Sequence, residues 1–370
     1  MRLDRLDLLD RFSGYLEGDK VDEFLELLGV KLGSGTWVAG DFVDRFMVRG
    51  YNPGLRSDVL SRISRVAEAG IRGVAPLLAE FLDENLGVRW GLVEEARRLI
   101  REKGMEVAAL GIDLSGVPLF KLGTLTNPDE DVRRRALEVH GEGLEVAKAL
   151  GAGVASIWPG QDGWDYSLEV GYGKAIDRFY RGLLELASAA ADMGLKLGVE
   201  AKPKEPREGN MIVPTTHAAA AIAAAVNREL GEKVVGVVID YGHELMYAVE
   251  PGYTVHLTHF LGVPIVGIHI NAAKTHSNDE DRIVGTGDLW QLIDFLLATI
   301  ETGYDGWYVL DQFTYRAEPV KAMRLSKELF ANAMKKALAI YRIRDRVEEA
   351  RARGDQVEVL NLVKKIVLSG

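Results

Sequence analysis

Eight short apolar runs recur along the 370-residue chain, each followed by a stretch of helical periodicity, and this repeat limits the fold more than any other feature. The runs are KLGSGTWV, ending near Val38; RGVAPL, near Pro76; MEVAALGI, near Ile112; GVASIWP, near Pro159; LKLGVEA, near Ala201; VVGVVID, near Asp240; PIVGIHI, near Ile270; and GWYVL, near Leu310. Their apolar residues are continuous rather than alternating, as in strands buried on both faces. Strands alternating with helices build parallel sheets through crossovers, and eight repeats close a (β/α)8 TIM barrel more readily than they extend an open sheet. Residues 31–317 are therefore assigned to a catalytic barrel domain. Residues 1–30 read as an N-terminal helical extension, with apolar residues at helical spacing from Leu3 to Leu28. Residues 318–370 read as a C-terminal tail of three helical segments, expected to pack outside the barrel or against another subunit. The run from Ala218 to Ala225 suits a tightly packed barrel helix, and no linker divides the chain.

The absence of cysteine excludes disulfides, thiolate metal sites and cysteine nucleophiles, so any metal must be held by oxygen or imidazole. A net charge of −10 works against binding to nucleic acid or to an anionic membrane surface. The N-terminus mixes charged with apolar residues and no long apolar run follows, so a cytoplasmic location is expected.

Catalytic groups of TIM barrels sit at the C-terminal ends of the strands, and the later ends here are rich in acids and imidazoles. The fifth run leads into Glu200 and Lys202, which alternation places on one side of an extended chain. The sixth ends in Asp240-Tyr241-Gly242-His243, a spacing that suits a shared metal. The seventh ends in His269-Ile270-Asn271, its loop continues to Asp279-Glu280-Asp281, and the eighth ends at Asp311. Acids converging on one barrel mouth repel one another and lose hydration unless cations sit among them, which is the physical reason to expect metal. Oxygen-rich sites with one or two imidazoles suit Mg²⁺, Mn²⁺ or Co²⁺. Each residue also has an ordinary structural alternative: Asp240 or Asp311 as a helix cap, His243 as a surface group opening a helix, Lys202 in a simple salt bridge with Glu200. His140, His217, His256, His259 and His276 are read as structural or surface groups.

At these residues the sequence resembles the xylose isomerase superfamily, in particular the xylose isomerases and L-rhamnose isomerases, over most of the chain. Glu200 to Arg207 (EAKPKEPR) followed by Val213-Pro214-Thr215 is similar to the strand-five signature of the xylose isomerases, in which the Glu binds metal and the Lys contacts a substrate oxygen. Trp158-Pro159-Gly160-Gln161-Asp162-Gly163 resembles the segment whose Trp packs against the sugar. Trp37 in GTWVAGD, and Pro118 to Lys121 through Val132 to Arg135, resemble the same family. Asp240-Tyr241-Gly242-His243, His269-Ile270-Asn271 and Leu310-Asp311-Gln312-Phe313 are closer to the rhamnose isomerase motifs. Asp279-Glu280-Asp281 with Gly285 resembles both.

The resemblance implies two divalent metal ions per subunit. Glu200, Asp240, His269 and Asp311 would hold the first, with Asn271 competing with His269, while Asp240, His243, Asp279 and Asp281 would hold the second. Lys202 and Asp279 would act in catalysis, and Trp158, Trp37 and Lys202 would contact a small sugar. The implied reaction is an aldose–ketose isomerisation by a 1,2-hydride shift, in a homodimer or homotetramer. The family's ring-opening His after strand two is replaced here by Val74-Ala75-Pro76-Leu77-Leu78-Ala79-Glu80, so either another group opens the ring or the substrate enters as an open chain. The alternatives are an L-rhamnose isomerase-type deoxyhexose isomerase, a single-metal sugar epimerase working by proton abstraction, and a catalytically degenerate sugar-binding protein.

Overall fold

The computed structural model describes residues 1–43, 50–205 and 209–369. Its core is a closed ring of parallel strands: β1 (Lys31–Gly35), β2 (Gly73–Ala75), β3 (Glu106–Val107 with Leu110–Asp113), β4 (Val154–Trp158), β5 (Lys196–Glu200), β6 (Val235–Asp240), β7 (Ile265–Ile270) and β8 (Trp307–Leu310). Pairing runs from β2 through β1 to β8, then back through β7, β6, β5 and β4. The interrupted β3 closes the ring, because its first half pairs with β2 and its second half with β4. All eight apolar runs thus become barrel strands, and every residue of β6 is buried, as continuous apolarity requires of a strand covered on both faces.

Strand β1 stops at Gly35 rather than near Val38. A Cβ at Gly35 would lie 2.3 Å from the Trp37 ring, which folds back over the strand end, and Trp37–Ala39 forms a 3₁₀ turn. Helices α1 (Asp19–Leu28) to α12 (Gln356–Leu368) surround the strands. Asp58, Asp129, Thr215 and Asp288 cap α2 (Val59–Glu68), α4 (Glu130–Leu150), α6 (Thr216–Leu230) and α9 (Leu289–Glu301) through their side chains, each worth about 1 kcal/mol.

The long helix α10 (Pro319–Arg342) lies against both α9 and α2, so it is the eighth helix of the outer ring. A boundary at residue 317 would cut it away from the barrel, yet the seam between β8 and β1 needs this helix to cover it. The N-terminal extension rests on α10: Leu16 and Asn332 exchange hydrogen bonds of 2.8 Å, and Lys327 pairs with Asp22 at 2.9 Å. Of the C-terminal tail, α11 (Arg344–Ala352) and α12 lie beyond the ring. Among the described residues no helix is long and apolar enough to cross a membrane.

Candidate metal and sugar site

The strand ends open into a cavity of about 170 Å³ whose walls include Trp37, Asp113, Trp158, Glu200, Lys202 and Asp311. Two groups of side chains meet in it. The ligand-capable atoms of Glu200, Asp240, His269 and Asp311 all lie within 4.8 Å of one another, as do those of Asp240, His243 and Asp279. Asp240 belongs to both. It also caps α7 (Tyr241–Tyr247) by accepting from the His243 N–H at 2.9 Å, so the ordinary structural role and the site role fall on one carboxylate. Burial, reinforced by Asp311, Asp279 and Glu200 and partly offset by His243, pushes the Asp240 carboxyl up to about 7.

In the first group the His269 Nδ1 faces Glu200 at 3.3 Å and Asp311 at 3.1 Å. Neither contact is aligned as a hydrogen bond, so a buried imidazole nitrogen is left without a partner among carboxylates. Burial opposes a charge on this ring, but Glu200 and Asp311 outweigh it and raise the imidazole well above its ordinary value. The Trp37 indole donates to Asp311 Oδ1 at 2.7 Å, which ties that acid to the neighbouring end of β1. Trp37 is therefore an anchor for Asp311 as well as a cavity wall.

In the second group His243 donates from Nδ1 to the Ala201 carbonyl at 2.8 Å, leaving Nε2 turned toward Asp279 at 3.2 Å. Holding one ring nitrogen on a carbonyl while the other faces acids is how proteins orient a ligating histidine. Burial works against the His243 charge, but Asp240 and Asp279 prevail and hold it up to about 9. Lys202 reaches Asp279 at 2.6 Å and Glu205 at 3.2 Å, rather than Glu200. Burial disfavours its charge, yet Asp279, Asp281 and Glu205 raise the ammonium above its usual value, so it stays protonated. Conversely Asp279, despite burial, is held far below the carboxylate range by His243 and Lys202. The Lys202 ammonium also lies 5.2 Å from the centre of the Trp158 ring.

Asn271 and Asp281, the other residues expected as ligands, stand beside Asp240. Asn271 donates from Nδ2 to Asp281 at 2.9 Å and to the two Asp240 oxygens at 3.2 and 3.3 Å. Carboxylates only accept, so the amide presents its N–H to them and braces the two acids, while its Oδ1 is buried without a hydrogen-bond partner. A Cβ at position 242 would approach its Oδ1 to 2.9 Å, which is why glycine fits between Asp240 and His243. Asp281 is buried, lines the cavity and bonds Asn271, but does not join the second group. Burial, then Asp279, Asp311 and Asp240, push its carboxyl well up. Glu280 turns away to bond Ser277 and the Lys274 N–H, both at 3.0 Å. Pro206 and Arg207 lie outside the described residues. The other histidines stay out of the cavity: His140 donates to the Ala136 carbonyl at 2.7 Å, and His256 meets Glu301 at 3.0 Å.

Sequence reasoning missed Asp113. It ends β3 and faces the cavity, with Ser115 N–H on its Oδ1 at 2.7 Å. Burial raises its carboxyl above the usual value. The signal was there, since Asp113 is the polar residue directly after the apolar run that ends at Ile112.

The donor set fits divalent cations. Acids and two imidazole nitrogens converge, one of those nitrogens is orphaned, and one carboxylate is common to both groups, which is how two adjacent cations share a ligand. Fold and site together define a (β/α)8 barrel with an acid–imidazole centre at the C-terminal mouth. The chain belongs to the xylose isomerase-like TIM barrel family, whose model matches residues 63–333.

Solved structures share the fold. A D-tagatose 3-epimerase-like protein matches with a TM-score of 0.63 at 19% identity, over 83% of this chain and 98% of that one. An L-ribulose 3-epimerase matches with a TM-score of 0.61 at 16% identity, over 85% and 97%. A D-psicose 3-epimerase, solved in the presence of D-fructose, matches with a TM-score of 0.55 at 20% identity, over 77% and 92%. At such identities the likeness is one of fold.

Proposed function

We propose that this chain is a metal-dependent enzyme that interconverts unmodified sugars at a carbon next to the carbonyl, and that it does so as an aldose–ketose isomerase. The observation that carries the isomerase reading is the second group: Asp240 shared with the first, His243 oriented by Ala201, and Asp279 clasped by Lys202 at 2.6 Å. Divalent ions such as Mg²⁺, Mn²⁺ or Co²⁺ held by the two groups would supply Lewis acidity to the sugar's carbonyl and neighbouring hydroxyl oxygens. Glu200, Asp240, His269 and Asp311 would hold one, and Asp240, His243 and Asp279 the other, with Asp281 lining the cavity beside them. Lys202 remains an ammonium throughout the accessible pH range and donates a hydrogen bond to the oxygen on which negative charge grows. Trp37, Trp158 and Phe313 wall the cavity and keep bulk water from the reacting carbons. Hydrogen then passes between C1 and C2 without exchange with solvent.

A second reading is a sugar epimerase that uses only the first group. The fold likeness to solved sugar 3-epimerases favours it over the isomerase. On that route Glu200 or Asp311 takes the proton from the carbon beside the carbonyl and a carboxylate returns it to the other face. Conversion of an aldose and ketose panel in heavy water separates the two. An aldose–ketose pair free of carbon-bound deuterium supports the isomerase. Epimers carrying deuterium at the inverted carbon overturn the hydride shift and establish the epimerase.

A further inference from the structure

Two carboxylates lining the cavity belong to neither group: Asp281, which Asn271 bonds, and Asp113 on the opposite wall. Asp113 stands at the end of β3, four strands round the ring from β7, and shares its register with Trp158 at the end of β4. Its wall of the cavity is otherwise formed by Leu77, Gly111, Ile112, Ser156 and Trp158, and the Ser156 hydroxyl is turned to the Leu110 carbonyl. Among the described ion pairs none involves Asp113; its partner is Ser115, whose N–H reaches Oδ1 at 2.7 Å. An ionised carboxylate offers about four acceptor positions, and Ser115 fills only part of them. A carboxylate on an apolar wall is costly to keep unless donors meet it, and the reacting groups on β5 to β8 do not.

Sugar hydroxyls are such donors. Resting on the reading of this cavity as a sugar site, we infer that Asp113 is a specificity determinant that accepts a hydrogen bond from a hydroxyl on the part of the sugar remote from the reacting carbons. The cavity then selects unphosphorylated sugars with a free hydroxyl at that position. A methyl or methylene there leaves the carboxylate without its donor. A phosphate meets Asp113 in a cavity already lined by Glu200, Asp279, Asp281 and Asp311, with Lys202 committed to Asp279 and Glu205.

The test pairs one residue with one hydroxyl. The aldose turned over fastest by the manganese-loaded enzyme and its series of singly deoxygenated analogues are assayed with the wild type and with Asp113→Asn, which keeps the shape and the acceptor for Ser115. kcat/KM is measured alongside sugar binding by tryptophan fluorescence, and thermal melts and manganese affinity are compared. In the wild type one analogue should lose about 10- to 100-fold in kcat/KM, the size of a hydrogen bond to a charged group. In Asp113→Asn the parent sugar should fall by a similar factor while that analogue barely changes, with manganese affinity and melting temperature held. Equal penalties for every analogue in both proteins overturn the role of Asp113 and leave the sugar reading standing. A wild type that neither binds nor converts any aldose overturns both. Loss of manganese affinity in Asp113→Asn also counts against the inference, since it would make Asp113 part of the metal groups.

Discussion

Replacing Asp240 with Asn should stabilise the protein when divalent ions are chelated and destabilise it when they are supplied. Asp240 is 1% exposed, and its carboxyl is pushed from 3.8 to about 7 by burial and its acidic neighbours. A gap of roughly three units at 1.36 kcal/mol each is about 4 kcal/mol of ionisation cost. The sign follows from proton counts. The folded chain binds the proton more tightly than the unfolded one, so stability falls as pH rises from about 4 to about 7 and the full cost stands at pH 8. Asn at this position cannot ionise and still caps the His243 N–H, but gives up one oxygen that faces Asn271, at about 1 to 2 kcal/mol. The net gain is roughly 2 to 3 kcal/mol. For 370 residues the unfolding entropy is about 0.8 kcal/mol/K, so melting should rise by roughly 3 to 4 °C in chelator at pH 8 and hardly change at pH 5. Manganese at about a thousand times its Kd stabilises the wild type by about 4.1 kcal/mol, which exceeds the gain of the variant, because the variant lacks the shared ligand. Melts followed by circular dichroism, with chelator and with excess manganese, read both arms. If the substitution shifts melting in the same direction under both conditions, acid crowding relieved by cations is not what shapes this site.

Further outcomes follow from the neighbours. Trp37→Phe removes the 2.7 Å bond that anchors Asp311 and should weaken manganese binding by about 10- to 100-fold in calorimetric titrations, with the apolar wall retained. Lys202→Met leaves Asp279 buried without its cation, so turnover should fall at least about 100-fold and metal-free stability by roughly 3 to 5 kcal/mol in denaturant titrations. Because the folded Lys202 ammonium is raised above 10.5, its contribution to stability is complete below that pH and is lost only as pH rises beyond it. A rate–pH profile should accordingly show no alkaline limb from this group below about pH 10.

Much of this architecture was legible because strands buried on both faces leave uninterrupted apolar runs, and the residues after those runs land on one rim. Glu200, Asp240, His243, His269 and Asp311 stand at or just after such strand ends, Asp279 entered through the family resemblance, and their ligand-capable atoms fall into two groups that share Asp240. What escaped depends on geometry that spacing does not carry. Asn271 follows His269 by two positions, and the direction of its amide, whose Nδ2 braces Asp240 and Asp281, is not carried by that spacing. Lys202 and Glu200 point to one rim, but the reach of a long side chain lets Lys202 choose Asp279 on a loop 77 residues away. Asp113 was passed over because one polar residue between Ile112 and Ser115 reads as the start of a loop. Helix α10 was separated from the barrel because periodicity marks a helix without saying which seam it covers.

The most direct measurement is anomalous scattering from crystals soaked in manganese. The account predicts a strong peak enclosed by Glu200, Asp240, His269 and Asp311, with a second beside Asp240, His243 and Asp279 for the isomerase. Density that places these carboxylates as they stand here, with no manganese peak among them at saturating concentration, would contradict it.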